Sequence, residues 1–144
     1  MSLTLAIISE SRKDDNRTPL TPSQVKHLLK KFSNLKIIVE PSKNRCFKNE
    51  DYLKAGSIIK SDISEANIIL GIKEVNINKL IANKTYLFFS HTIKMNKNNL
   101  EGTQGTPGVE KKELLKEIIR KNITLIDYEN IRDNSVNAYR YLGF

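Results

Sequence analysis

The sequence carries a single cysteine, Cys46, so no disulfide can close within the chain, and the compartment this suggests is a reducing cytoplasm. No apolar run approaches the ~20 residues that cross a bilayer, which excludes a membrane-spanning helix from the reading. The apolar start, Met1 to Ile8, runs at once into Glu10, Arg12, Lys13 and Asp14, and does not read as a secretory signal. Histidine occurs twice and never beside the cysteine, which leaves no metal-ligand cluster. Glycine is scarce, and neither G-x-G-x-x-G nor G-x-x-x-x-G-K-[ST] is present, so the chain should hold neither a dinucleotide nor a nucleoside triphosphate in the usual way. Basic residues are in excess, with a net charge of +8, yet they are scattered singly or in pairs with no run of four. That pattern suits a solvated surface better than a nucleic-acid footprint.

What is present fits one domain of 144 residues with a real core. Leu3 to Ile8 is nearly all apolar and predicts a strand buried on both faces. Thr21-Pro22-Ser23-Gln24 supplies a capping residue, a proline at the first helical position and a glutamine at the third, which marks a helix start. Val25, Leu28, Leu29 and Phe32 then give one apolar stripe. Further strands are expected at Lys36 to Val39, Ser57 to Ile59, Ala66 to Ile72, Thr85 to Phe89, Ile123 to Ile126 and, at the end, Val136 to Leu142. Helices are expected at Asn49 to Ala55, closed by Gly56, and at Glu110 to Lys121, with Leu114, Leu115, Ile118 and Ile119 on one side. Alternation of this kind implies an α/β, Rossmann-like (flavodoxin-like), largely parallel sheet with flanking helices, lacking the nucleotide fingerprint. Glu101 to Gly108 holds three of the six glycines and reads as a flexible loop or linker, native or engineered.

Ligands of parallel sheets sit outside the carboxyl ends of the strands. Here those ends are Ser9, Glu10 and the Arg12 to Arg17 loop; Gly71-Ile72-Lys73-Glu74; Ser90-His91; and Asp127-Tyr128-Glu129. A guanidinium, an amine, an imidazole and carboxylates would then meet, able to bind a carboxylate and to move protons. Each has a plainer reading: a surface ion pair for Arg17, a lysine emerging into solvent for Lys73, its ion-pair partner for Glu74, a hydrogen-bonded structural histidine for His91. His27 falls on the first helix and should face solvent. Cys46 reads as a small buried or half-buried side chain.

Six segments in order carry a family resemblance: Arg17-Thr-Pro-Leu-Thr-Pro22; Val39-Glu-Pro-Ser42 with Arg45-Cys-Phe47; Asp51-Tyr-Leu-Lys-Ala-Gly56; Ser64-Glu-Ala-Asn-Ile-Ile-Leu-Gly-Ile-Lys-Glu-Val75; Lys84-Thr-Tyr-Leu-Phe-Phe-Ser-His-Thr-Ile-Lys94; and Leu125-Ile-Asp-Tyr-Glu129. The sequence resembles the N-terminal domain shared by alanine dehydrogenase, pyridine nucleotide transhydrogenase and the lysine-ketoglutarate reductase/saccharopine dehydrogenase enzymes. Phe88 to Lys94 looks closest to the last branch. The resemblance implies an NAD(P)H-dependent reductive amination of 2-oxoglutarate with lysine. The alternatives are an alanine dehydrogenase or transhydrogenase type of domain, or a non-catalytic module for an amino or oxo acid. It implies that Arg17 binds a substrate carboxylate, that Lys73 and His91 form the acid/base pair, and that Glu74 and Glu129 tune the charge of that pair. It further implies that residues 1–144 are the substrate-binding segment of a longer enzyme and are inactive alone. The cofactor would lie on a following Rossmann domain. Small amino or oxo acids and that domain are the expected partners, with room for a homo-oligomer and none for nucleic acid or membrane. The Gly-rich 101–108 stretch and the loosely matching end, Ala138 to Phe144, depart from the family's pattern.

Overall fold

A computed structural model describes residues 2–92 and 111–131 of the chain. Among the described residues six strands and three helices follow in the order β1 Leu3–Ile7, α1 Pro22–Lys31, β2 Leu35–Val39, α2 Asn49–Lys54, β3 Ile58–Ile59, β4 Ile68–Leu70, β5 Thr85–Phe88, α3 Lys111–Arg120 and β6 Thr124–Asp127. Short 3-10 turns at Ile77–Lys79 and Tyr128–Asn130 complete the described chain. All pairings are parallel, in the order β3-β2-β1-β4-β5-β6. That is the doubly wound order in which the chain reverses direction across the sheet between β1 and β4.

Local chemistry sets the element starts. Thr21 Oγ1 accepts the Gln24 N–H at 3.3 Å, and Gln24 Oε1 accepts the Thr21 N–H at 2.8 Å, so two donors at the α1 start are satisfied reciprocally. Gly56, at φ +101, ends α2 in a backbone conformation that side chains resist. Alternation along the strands sorts the core onto two faces. Ile7, Ile37 and Val39 pack with Val25 of α1 and Tyr52 of α2 on one face. Ala6, Ile8, Ile38, Ile69, Tyr86 and Phe88 pack with Leu114 and Ile118 of α3 on the other. Each large side chain buried this way contributes about 1.5–3 kcal/mol.

Several expectations need correction. Phe32 is the C-cap of α1 and 45% exposed, and Ile119 is 72% exposed on α3. Both fit the helical period but fall outside the arc that reaches the sheet. The run Ala66 to Ile72 is apolar but for Asn67, yet only Ile68–Leu70 is strand, because Ala66 and Ile72 are buried in the connections on either side. Cys46 is exposed, and its neighbour Arg45 takes the buried place instead. His27 is exposed, as read. The 101–108 stretch and the strand expected at 136–142 lie outside the described residues.

Candidate functional site

The carboxyl ends of β1 and β4, the switch point of the sheet, are tied together by one side chain. Glu10 Oε1 accepts the Ile72 N–H at 2.7 Å and its Oε2 accepts the Lys73 N–H at 3.0 Å. Burial raises the Glu10 carboxyl above its ordinary value, and these two backbone donors offset part of that rise. Gly71 makes room for the arrangement, since a Cβ there would stand 2.8 Å from Ile8 Cδ1 and 3.6 Å from Glu10 Oε1. The backbone of Lys73 is therefore fixed by a residue that precedes it by more than sixty positions.

The loop after β1 is pinned from the β2 side. Ser9 N–H donates to Glu40 Oε2 at 2.8 Å, Cys46 N–H donates to the Asn16 carbonyl at 2.8 Å, and Arg45 Nη2 donates to the carbonyls of Ile8 at 3.2 Å and Glu40 at 3.0 Å. Within the loop, the buried Asp15 receives Arg17 in a two-pronged grip, Nε at 2.9 Å and Nη2 at 2.6 Å, and also accepts the Arg17 backbone N–H at 3.1 Å. Arg17 is thus an ion-pair partner, and also a guanidinium held in one orientation beside an opening. That opening is a cavity of about 460 Å³ lined by Arg12, Asp14, Asp15, Asn16, Arg17 and Lys73. Three cations against two carboxylates suit it to an anionic ligand.

The Arg17 contact holds the Asp15 carboxyl below its ordinary 3.8, against the opposing effect of burial. A lowered carboxyl stabilises the fold above its unfolded value, and the stabilisation is lost as pH falls through the folded value. Asp15→Asn is therefore expected to flatten the acid limb. Its urea midpoint should change less than the parent's between about pH 4 and pH 2. Parallel curves for the two proteins would show that the Asp15–Arg17 pair is not linked to folding.

His91 follows the end of β5 with φ +54, a left-handed conformation unusual for a side-chain residue. Its Nδ1 lies 3.2 Å from Glu129 Oε1, and its Nε2 lies 3.8 Å from Glu74 Oε1. Both carboxylates are buried, at 5% and 3% exposure, while the imidazole is partly open. The ring stacks on Phe89 at 6.3 Å, and Phe89 meets Tyr128 edge-on at 5.1 Å. Burial pushes the Tyr128 hydroxyl up to about 12, so it stays neutral near pH 7.

All five sequence candidates thus stand at the carboxyl edge of the sheet. Arg17 and Lys73 share the cavity. His91 does not line it, and adjoins it through Glu74, the residue after Lys73. Sequence reasoning left Asp15, Arg45 and Asp127 without roles. The spacing Asp15-Asn16-Arg17 is the one local signal, since a carboxylate two residues before an arginine can turn back onto it. Arg45 and Asp127 each make one contact across 37 residues, to the Ile8 carbonyl and from the Ser90 hydroxyl, which the local sequence does not mark.

A dinucleotide does not fit these residues. In a Rossmann half-site a glycine turn leads straight from β1 into the next helix, whose N–H groups meet the pyrophosphate. Here the long polar loop Ser9 to Leu20 intervenes without a glycine, Pro22 has no N–H to offer, and the Thr21 side chain already caps the helix.

Comparison with known proteins gives consistent matches. The chain is 40% identical to the mitochondrial alpha-aminoadipic semialdehyde synthase of Bos taurus over 90% of its own length and 13% of that protein. It is 33% identical to the saccharopine dehydrogenase [NAD(+), L-lysine-forming] of Candida glabrata, spanning 37% of it. The chain therefore covers a minor part of either relative. An L-alanine dehydrogenase structure superposes over 96% of the chain with a TM-score of 0.71 at 17% identity. A transhydrogenase from Sinorhizobium meliloti superposes over 92% with a TM-score of 0.68 at 16% identity. The family profile described as the N-terminal domain of alanine dehydrogenase/PNT matches residues 6–143, and the chain belongs to that family.

Proposed function

We propose that this chain is the substrate-binding and acid/base part of an NAD(P)-dependent amino-acid dehydrogenase that reductively aminates 2-oxoglutarate with lysine, the saccharopine-forming reaction. The observation that carries the reading is His91, held between buried Glu74 and Glu129 beside a cavity that Arg17 and Lys73 line. The lysine branch is favoured over the alanine branch by the 40% and 33% identities to its members, against 17% for the alanine dehydrogenase. A nicotinamide cofactor held outside these residues would supply the hydride.

This chain's own residues handle binding and protons. Arg17, oriented by Asp15, engages a carboxylate of the oxo acid. Lys73 and His91 exchange protons with the oxygen and nitrogen of the carbinolamine as water is expelled. Glu74 and Glu129 flank the His91 ring, orient it and tune the charge around the pair.

The 144-residue chain is expected to bind 2-oxoglutarate with shifts in backbone amide resonances near Arg17 and Lys73, and to show no saturable NADPH binding. NMR titration and NADPH fluorescence check both arms. One-site NADPH binding at micromolar concentration would overturn the division of labour. An oxo-acid titration that perturbs none of those amides would overturn the site.

A further inference from the structure

Resting on the reading of His91 as a proton-handling group, we propose that Asp127 is the positioning residue that sets the His91 imidazole against Glu129. Asp127 ends β6 and is 6% exposed. Its Oδ2 accepts the hydroxyl of Ser90, which is fully buried and directly precedes His91. Its Oδ1 accepts the Glu129 N–H at 2.9 Å. One carboxylate therefore grips both members of the His91–Glu129 contact, one through the residue before the histidine and one through the glutamate's own backbone.

Ser90 passes the restraint onward. Its Oγ accepts the Thr92 N–H at 3.2 Å and lies 2.8 Å from Thr92 Oγ1, so the residues on both sides of His91 are braced. A left-handed residue other than glycine costs about 1 kcal/mol or more, and it persists only where its surroundings hold it. The brace from Asp127 through Ser90 to Thr92 is the structure that holds His91 at φ +54.

Both of these Asp127 contacts are hydrogen bonds to uncharged groups, so the role needs a hydrogen-bonding partner at each place rather than negative charge. An asparagine keeps one oxygen for the Glu129 N–H. Its amide group can donate to Ser90 Oγ, whose hydroxyl then turns toward Thr92. Alanine keeps neither contact. A through-space role for the charge makes the opposite forecast, in which asparagine is as damaging as alanine.

The chain suits a direct test because it has two histidines, His27 exposed on α1 and His91 at the site. In ¹⁵N-labelled protein at fixed pH, His27→Gln assigns the ring resonances. Asp127→Ala is expected to move the His91 ring nitrogens most of the way toward the shifts of exposed His27. Asp127→Asn should leave them within about a fifth of that displacement. Val25→Ala, which loosens the opposite face of the sheet, should leave them in place. Where Asp127→Ala does not fold, Ser90→Ala removes half of the brace and should move the ring part of the way. Unmoved His91 resonances in Asp127→Ala or Ser90→Ala, or an asparagine variant displaced as far as alanine, would overturn the proposal. The measurement needs no turnover, so an intact enzyme without saccharopine-forming activity would sink the functional reading and leave this one standing.

Discussion

Lys73→Met in the intact enzyme is expected to slow turnover by about 100-fold or more while the Michaelis constants change little. Methionine keeps the length of the chain and loses the proton. The backbone does not follow the substitution, because Glu10 holds the Lys73 N–H from across the switch point. Arg17→Ala should behave in the opposite way and raise the Michaelis constant for the acidic substrate, since its contact is present before the transition state as well as in it. Loss of a charge-assisted bond of about 1.5–3 kcal/mol corresponds to roughly ten- to a hundredfold. Arg17→Ala also strips the buried Asp15 of its two-pronged partner, so the Asp15→Ala/Arg17→Ala double variant separates lost binding from lost loop structure. A Lys73→Met enzyme within about threefold of the parent, about 0.65 kcal/mol of barrier, would exclude Lys73 as the acid/base group.

The second large effect is on stability. Tyr52→Ala is expected to cost about 3–5 kcal/mol, a large part of the 5–15 kcal/mol typical of a whole domain. Tyr52 is fully buried beneath the Arg45 guanidinium at 5.2 Å and meets Phe47 edge-on at 6.5 Å. Its hydroxyl donates to the Leu20 carbonyl at 2.7 Å and lies 2.9 Å from Thr18 Oγ1. Tyr52→Phe keeps the packing and removes one of two donors to the Leu20 carbonyl, the Thr18 hydroxyl keeping the other at 3.1 Å, for about 1 kcal/mol. Urea denaturation of the two variants checks both figures. Equal losses would show that the hydroxyl, and not the ring, is what α2 contributes to the loop carrying Arg17.

The sequence was most legible where the physics is local. The start of α1 could be read because Thr21, Pro22 and Gln24 act within one turn. The buried strands could be read because Ile37-Ile38-Val39 and Ile68-Ile69-Leu70 need no partner to look apolar. Periodicity alone overreached at Phe32 and Ile119, since a period says which residues share a stripe and not how wide the buried arc is. Cys46 was misplaced because its surroundings are set by a hydrogen bond to Asn16, thirty residues away. Strand-end reasoning placed Arg17, Lys73 and His91 at one edge. It could not show that Glu10, Arg45 and Asp127 hold that edge in shape, because their partners become neighbours only once the strand order is known.

That order has a consequence for how the chain comes into being. Of the six described strands β1 comes earliest in the chain and lies in the middle, paired with β2 from Leu3 opposite Leu35 and with β4 from Leu5 opposite Ile68. During synthesis its first neighbour arrives about thirty residues later, and its second only after another thirty. In that interval a strand containing the fully buried Ala6 and Ile7 presents an open edge, the kind of template on which foreign chains add. Parallel pairings this far apart also close slowly, because the intervening loops must be ordered before any contact rewards them. A chain halted before Ile68 is thus expected to aggregate more readily than one that carries β4.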